Sequence, residues 1–281
     1  MKGRREAQQL NLSSALLALS VLADSAVEHY RGSFHNRAMY TPLAVAGLTL
    51  GASVLGTADR RPRSHGMRDS IYALAAVTGA AGLLFHGYNI TKRPGGLSWL
   101  NLFYAAPVGA PAALLLAGLL GKGAERARLP SSARRAAGRA LATVSAVGIV
   151  GTVLETALLH FRGAYHNPAM VLPVSVPPVA ATLLGAAACA PGRRVGRFAR
   201  WWLKATALLG FAGVGFHAYG VSRNMGGWRN WSQNVLNGPP LPAPPSYTGL
   251  ALAGLAALGM MERETGAEPM WGRSQCDARA H

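Results

Sequence analysis

Long apolar stretches run through most of the chain, and they limit its fold more than any other feature. A helix needs about 20 mostly apolar residues to cross the roughly 30 Å hydrocarbon core of a bilayer. Eight stretches of about this length occur. They cover Asn11–Tyr30, Met39–Thr57, Ser70–Thr91, Asn101–Gly121, Ala140–Phe161, Ala169–Ala190, Trp201–Val221 and Leu241–Met261. We therefore predict an all-α polytopic membrane protein with eight transmembrane helices.

Charged residues are scarce and lie in short clusters between these stretches. They make up 14% of the chain, whereas soluble domains average about 25%. The 28 Lys and Arg residues outnumber the 11 Asp and Glu residues, which gives a net charge of +17. Proteins that bind nucleic acid gather such residues on one water-exposed surface. This pattern excludes a nucleic-acid partner and favours membrane lipid.

The basic clusters also predict an orientation, because Lys and Arg concentrate in cytoplasmic loops. If the spans alternate in direction, the larger clusters fall on the side that also holds both termini. These clusters are Lys2/Arg4/Arg5, Arg60/Arg61/Arg63/Arg68, Lys122/Arg126/Arg128/Arg134/Arg135/Arg139, Arg193/Arg194/Arg197/Arg200 and Arg263. We expect an inner (plasma) membrane protein whose N- and C-termini are cytoplasmic.

An internal duplication is the most informative feature for function. At an offset of 131 residues, His29–Met39 aligns without gaps on His160–Met170, and Gly82–Tyr88 aligns on Gly213–Tyr219. Each copy holds four of the expected spans, an even number, so the copies enter the membrane in the same direction. We predict two tandem four-helix repeats in parallel orientation, over residues 1–130 and 131–262, followed by a flexible cytoplasmic tail over 263–281.

Six of the eight histidines fall in matched pairs of this alignment. The pairs are His29 with His160, His35 with His166, and His86 with His217. In the predicted topology all six come to the outer ends of spans or to the loops just beyond them. Ionisable residues in or beside a membrane span are costly and usually functional, although a single His at a helix end can simply satisfy backbone groups.

Two spans of each repeat present one His at similar depth, which is what bis-histidine ligation of haem b requires. We predict that His29 with His86, and His160 with His217, are the axial ligands. Neighbouring cations would pair with the haem propionates, and adjacent polar side chains would donate hydrogen bonds to the same groups. These residues are Arg31, Lys92, Arg162 and Arg223, together with His35, Asn36, His166 and Asn167.

Glycines precede the third His of each copy by four and seven residues, and therefore share its helix face. They are Gly79 and Gly82 in the first copy, and Gly210 and Gly213 in the second. We expect them to offer a flat surface for a macrocycle. The competing interpretation is close helix packing through small residues.

Three alternatives remain open. The three His of a copy, with Asp24 or Glu155, would bind an iron, copper or zinc ion, and His35 with Met39 suits copper. The parallel halves would also suit a transporter with an outward-facing His/Arg site. A docking subunit is the third alternative.

The predicted function is an integral membrane subunit of a redox or electron-transfer complex. It would carry haem b near the outer face and exchange electrons with a quinone pool, or with a periplasmic or membrane oxidoreductase subunit. The sequence has no phosphate-binding loop, dinucleotide fingerprint or nucleophile elbow. The chain is therefore expected to be at most the membrane subunit of an oxidoreductase, without catalytic residues of its own.

Overall fold

The computed structural model describes residues 3–59, 65–104, 107–190 and 192–262. Within these ranges the chain is all-helical and contains no strand. The predicted tail over 263–281, and basic residues such as Lys2 and Arg263, lie outside the described residues. The helices are α1 (Arg4–Arg31), α2 (Thr41–Ala58), α3 (Gly66–Thr91), α4 (Trp99–Tyr104), α5 (Gly109–Arg126), α6 (Ser131–Arg162), α7 (Leu172–Cys189), α8 (Arg193–Arg223), α9 (Trp231–Asn237) and α10 (Pro245–Met261).

Five segments of the described chain are long and apolar enough to cross a membrane. They are Arg4–Arg31, Arg37–Ala58, Gly66–Thr91, Ala133–Arg162 and Pro168–Cys189. Their outward surfaces are apolar, as lipid contact requires: Leu84 is 77% exposed and Val77 is 67% exposed. The prediction of a helical membrane protein is confirmed, and these five segments coincide with five of the predicted spans.

The prediction of one continuous span over Asn101–Gly121 is wrong. Helix α4 ends at Tyr104, Pro107 and Val108 are not helical, and α5 starts at Gly109. Proline lacks a backbone N–H, and inside a helix its ring clashes with the preceding turn, which kinks or breaks the helix. The last predicted span is likewise shortened, because α10 begins only at Pro245 after a proline-rich segment and has 17 residues.

Four helices form the centre of the molecule. Helix α1 packs on α5 and α10, and α6 packs on the same two helices. Helices α2 and α3 flank this centre on one side, and α7 and α8 flank it on the other. Small residues dominate the core, so that backbones approach closely, and α10 is buried along most of its length. Exchanging α1–α5 for α6–α10 leaves the pattern of contacts unchanged.

Buried charges tie together the ends of α2, α3 and α5 on one side of the bundle. Arg68 at the start of α3 donates from Nε to Glu125 Oε1 at 2.9 Å and from Nη1 to Asp59 Oδ2 at 2.8 Å. The Arg68 side chain is 7% exposed and that of Glu125 is 3% exposed. The Glu125 carboxylate also accepts the His65 N–H. We call this end of the bundle the basic face.

Candidate functional site

The opposite end of the bundle holds all six paired histidines, and we call it the histidine face. Here α1, α3, α6 and α8 end, at residues 31, 91, 162 and 223. Each of these helices carries one of the expected axial ligands near its last turn. His35 and His166 lie in the loops that follow α1 and α6.

Every paired imidazole interacts through Nδ1 with a backbone carbonyl, and the partner is equivalent in the two copies. His29 binds the Met39 carbonyl at 2.7 Å, and His160 binds the Met170 carbonyl at 2.8 Å. His86 and His217 bind the carbonyls of Pro107 and Pro240, both at 2.7 Å. The two loop histidines, His35 and His166, bind the carbonyls of Gly32 and Gly163, both at 3.0 Å.

These bonds define the tautomer of each ring. A carbonyl oxygen only accepts hydrogen bonds, so Nδ1 carries the proton and donates it. In the neutral imidazole Nε2 is then an unprotonated lone-pair donor. Histidines that ligate a metal usually donate their other ring N–H to such an acceptor, which fixes the ring and raises its basicity.

The two histidines of each predicted pair lie within electrostatic range of each other. This holds for His29 and His86 on α1 and α3. It also holds for His160 and His217 on α6 and α8. Each predicted pair therefore lies on the same face of the bundle, in both copies.

The loop after α1 has a strained backbone that recurs after α6. Ser33 and Phe34 have φ values of 56° and 44°, and Ala164 and Tyr165 have 55° and 46°. Bulky residues seldom adopt this left-handed region. The Phe34 N–H donates to the His29 carbonyl at 3.0 Å, and the Tyr165 N–H donates to the His160 carbonyl at the same distance. Such strain persists only where the surroundings enforce it, which is common at functional sites.

The four predicted glycines are contact points between helices. A Cβ atom on Gly79 would collide with the backbone of Leu115, and one on Gly82 would lie 2.9 Å from Pro111 Cβ. Gly210 meets Thr248 and Pro244 in the same way, and Gly213 meets Pro244. These four positions therefore fit the interpretation of close helix packing. They are covered by α5 and α10 and do not form an open surface for a macrocycle.

The predicted cations have different surroundings in the two copies. Arg31 forms an ion pair with Glu28 at 2.8 Å. Its counterpart Arg162 instead lies over the rings of Phe103 and Tyr104, 5.6 Å and 5.3 Å from their centroids.

The other two predicted cations lie at the ends of α3 and α8. Lys92 lies over the Tyr88 ring at 4.9 Å, and Arg223 is exposed at the last turn of α8. All four predicted cations therefore stand on the histidine face.

Asn36 and Asn167 shape the loops. The Oδ1 atom of Asn36 accepts the Ala38 N–H at 2.9 Å, and Asn167 accepts the Ala169 N–H at the same distance. Each asparagine thereby begins a short 3-10 turn that leads into the next long helix.

The alternative of an ion held by three or more ligands receives no support from the geometry. In the part of the chain that the structure describes, no three His, Cys, Asp or Glu side chains come together as a metal site. Met39, the thioether expected to suit copper, packs its methyl group against the loop at Gly32. A two-histidine site does not need such a cluster.

One further pair lies between the copies, and its two members were expected only as additional ligands of the alternative metal site. Asp24 on α1 and Glu155 on α6 lie within electrostatic range of each other, between the two copies. Glu155 accepts the Gly109 N–H, and it fills the space that a side chain at position 109 would need. The signal was present, because the two carboxylates align at the same offset of 131 residues.

Comparisons with protein family models, with curated proteins and with solved structures give no match.

Proposed function

We propose that the chain is the membrane subunit of an electron-transfer complex and that it holds two haem b groups at its histidine face. His29 and His86 would be the axial ligands of one group, and His160 and His217 those of the other. The observation that carries this proposal is the shared Nδ1 hydrogen bond. It leaves Nε2 of both imidazoles in each neighbouring pair available as an iron ligand.

The proposed membrane arrangement has eight crossings in two parallel repeats, with the histidine face outward and both termini cytoplasmic. Five apolar segments of sufficient length support it. The remaining long helices are α5, α8 and α10, each of which packs against a segment of that set. Helix α10 contacts α1, α6 and α8, so little of its surface needs to face lipid.

The chain's own residues would set the properties of each site. Carbonyl groups of Met39 and Pro107 hold the imidazoles of His29 and His86 in one orientation. Haem b with two imidazole ligands supplies reversible one-electron transfer. Lys92, Arg162 and Arg223 stand at the same face and would pair with the haem propionates. Arg31 stands there too, already paired with Glu28.

Both sites would lie near the outer leaflet, so the chain alone would not carry electrons across the membrane. It would instead pass them between the quinone pool and a periplasmic or membrane-bound oxidoreductase subunit. Neither partner is present in the structure. All six paired histidines lie on one side of the bundle, which supports an electron path that stays near the outer leaflet.

The test is a dithionite-reduced minus air-oxidised absorbance spectrum of the full chain, purified in mild detergent from a haem-sufficient host. We expect sharp α and Soret bands in the wild type. The variant His86→Asn/His217→Asn should lose most of both bands. Asparagine presents an N–H close to the position of imidazole Nδ1 but has no second ring nitrogen. The carbonyl contacts to Pro107 and Pro240 can then persist while the ligand is removed.

The matched control is His65→Asn, which changes an unpaired histidine on the basic face and should leave the spectrum intact. All three proteins should elute as single symmetrical species in size-exclusion chromatography. A wild-type spectrum without these bands contradicts the proposal. So does a double variant that retains them in full.

A docking subunit is the second candidate, and the exposed aromatic residues of the histidine face favour it. Trp99, Trp228 and Trp231 are 66%, 50% and 62% exposed, and the nearby Met225 is 91% exposed. Aromatic residues and methionine are enriched at protein interfaces, although an aromatic belt at the membrane surface has the same composition. A featureless spectrum together with recovery of a stable partner complex would favour this candidate.

A further inference from the structure

A cavity of about 580 Å³ opens on the histidine face between the two copies. Its walls come from the loop after α1 and from helix α9. Tyr30, Arg31, Phe34 and Tyr40 line one side, and Gln233 and Asn237 line the other. This volume lies within the range of about 300–1,000 Å³ that small-molecule sites occupy.

The corresponding place in the other copy is filled. There the loop after α6 meets helix α4, and the Phe103 ring packs edge-on against Phe161 with centroids 6.0 Å apart. Arg162 covers the rings of Phe103 and Tyr104. The cavity is therefore not a general consequence of the duplicated fold, because the same junction is packed with aromatic rings on the other side.

The two junctions can be aligned through one asparagine in each copy. Asn101 donates from Nδ2 to the Gly96 carbonyl at 2.7 Å, and Asn234 donates to the Gly227 carbonyl at 2.8 Å. Both bonds close the turn that precedes the short helix. With the asparagines aligned, Gln233 corresponds to Leu100, and Asn237 corresponds to Tyr104.

The five loop positions that line the cavity differ from their counterparts mainly by a gain of hydroxyl groups; Phe34, which stands where the other copy has Tyr165, is the exception. Three of them carry hydroxyl groups, and the other copy has apolar residues at the same alignment positions. The substitutions are Tyr30 for Phe161, Ser33 for Ala164 and Tyr40 for Val171. Gln233 extends the pattern to α9, because it stands where the other copy has Leu100. The open junction therefore has more hydrogen-bonding groups at these positions than the packed junction of the other copy.

The charge of the cavity is already balanced. Arg31 is the cation of the wall, and Glu28 neutralises it through the 2.8 Å ion pair. The rest of the lining consists of hydroxyl and amide groups and the Leu236 side chain, around two stacked rings. Phe34 and Tyr40 are parallel within 11°, with centroids 4.5 Å apart. Such walls suit a neutral planar ring that carries carbonyl or hydroxyl groups better than they suit an anion.

We propose that this cavity binds the head group of a membrane quinone. The quinone ring would lie against the Phe34–Tyr40 stack, with its oxygen atoms bonded to the surrounding hydroxyl and amide groups. Phe34 also contacts the His29 ring edge-on at 6.1 Å, so the cavity adjoins one of the histidine pairs. This inference rests on the proposed function and deepens it by assigning a binding site to the quinone, but the binding itself requires no haem.

The experiment is photolabelling of the full-length protein in phosphatidylcholine nanodiscs with an azido-quinone, followed by peptide mass spectrometry. We expect labelled peptides from residues 30–40 and 231–237, and protection by an excess of a short-chain quinone. The variant Tyr30→Phe/Ser33→Ala/Tyr40→Val installs the residues that the other copy carries, so the fold should accept it. It should weaken quinone binding by about tenfold or more, because hydrogen-bond partners are lost.

The matched control is Phe161→Tyr, which adds a hydroxyl group in the copy without the cavity and should leave quinone binding unchanged. Labelling that maps elsewhere, or an unchanged affinity in the triple variant, overturns the inference. Protection by phosphatidylglycerol but not by the short-chain quinone also overturns it and assigns the cavity to a lipid head group. Saturable quinone labelling in a protein without haem bands would refute the proposed function and leave this inference standing.

Discussion

Replacing Gly79 by alanine tests whether the glycines beside the histidines are packing contacts. A Cβ atom at this position would collide with the Leu115 backbone N and would lie 2.7 Å from both Leu115 Cα and the Pro111 carbonyl oxygen. Carbon atoms pack best about 3.5–4.0 Å apart, so α3 and α5 would have to separate by roughly 1 Å. The obstacle is backbone, which cannot rotate away as a side chain can.

The size of the effect follows from two opposing contributions. Overpacking in a tight interior costs about 1–3 kcal/mol. Alanine in place of glycine inside a helix stabilises by about 1 kcal/mol. Gly87 lies on the same helix and has no described atom within 4 Å of its ideal Cβ position, so Gly87→Ala should show only the gain. The two variants should therefore differ in free energy of unfolding by about 1–3 kcal/mol, with Gly79→Ala the less stable.

The assay is SDS-titrated unfolding in mild detergent, followed by tryptophan fluorescence, with both variants expressed under haem limitation. Without cofactor, a loss of stability in Gly79→Ala reports helix packing alone. Equal unfolding midpoints for the two variants would refute the packing argument and reopen the interpretation of Gly79 as part of a cofactor surface.

Two further predictions concern contacts that hold the bundle together. Arg68→Ala leaves the Glu125 carboxylate buried without its cation, so it should cost about 3–5 kcal/mol. Lys122→Ala breaks the more exposed pair with Asp69 and should lower the free energy of unfolding by less than about 1 kcal/mol. Equal losses of stability for Arg68→Ala and Lys122→Ala in thermal unfolding would contradict the argument from burial. Tyr247→Phe removes a hydroxyl that bonds Thr156 Oγ1 at 3.0 Å and should cost about 1 kcal/mol. No loss of stability in this variant would mean that the contact between α10 and α6 is not maintained in detergent.

The sequence predicts the helical membrane fold well, because long apolar runs have few other stable solutions. It fails at Asn101–Gly121, where hydropathy stays high across a break in the helix. Pro107 marks that break, yet the apolar residues on both sides conceal it from an analysis of run length. The short helix α4 was missed for this reason, and its counterpart α9 was missed because it lies in a polar connection between two predicted spans.

The site is predictable as a set of residues but not as an arrangement. The alignment of the two copies selects the histidines, and spacing places Gly79 and Gly82 on the His86 face. Spacing does not show that α5 covers that face, because the contact depends on a helix that follows in the chain. The bond from His29 to the Met39 carbonyl is hidden in the same way, since backbone acceptors leave no mark in a sequence.

Haem stoichiometry is the sharpest test of the proposal that one chain has two independent two-histidine sites. Pyridine haemochrome assay of the purified protein, normalised to protein by amino-acid analysis, should give about two haem b per wild-type chain, as expected for two axial pairs. His86→Asn and His217→Asn, measured separately, should each give about half of the wild-type value, with the same eluted oligomeric state. No haem in the wild type, or full occupancy in both single variants, would contradict the account.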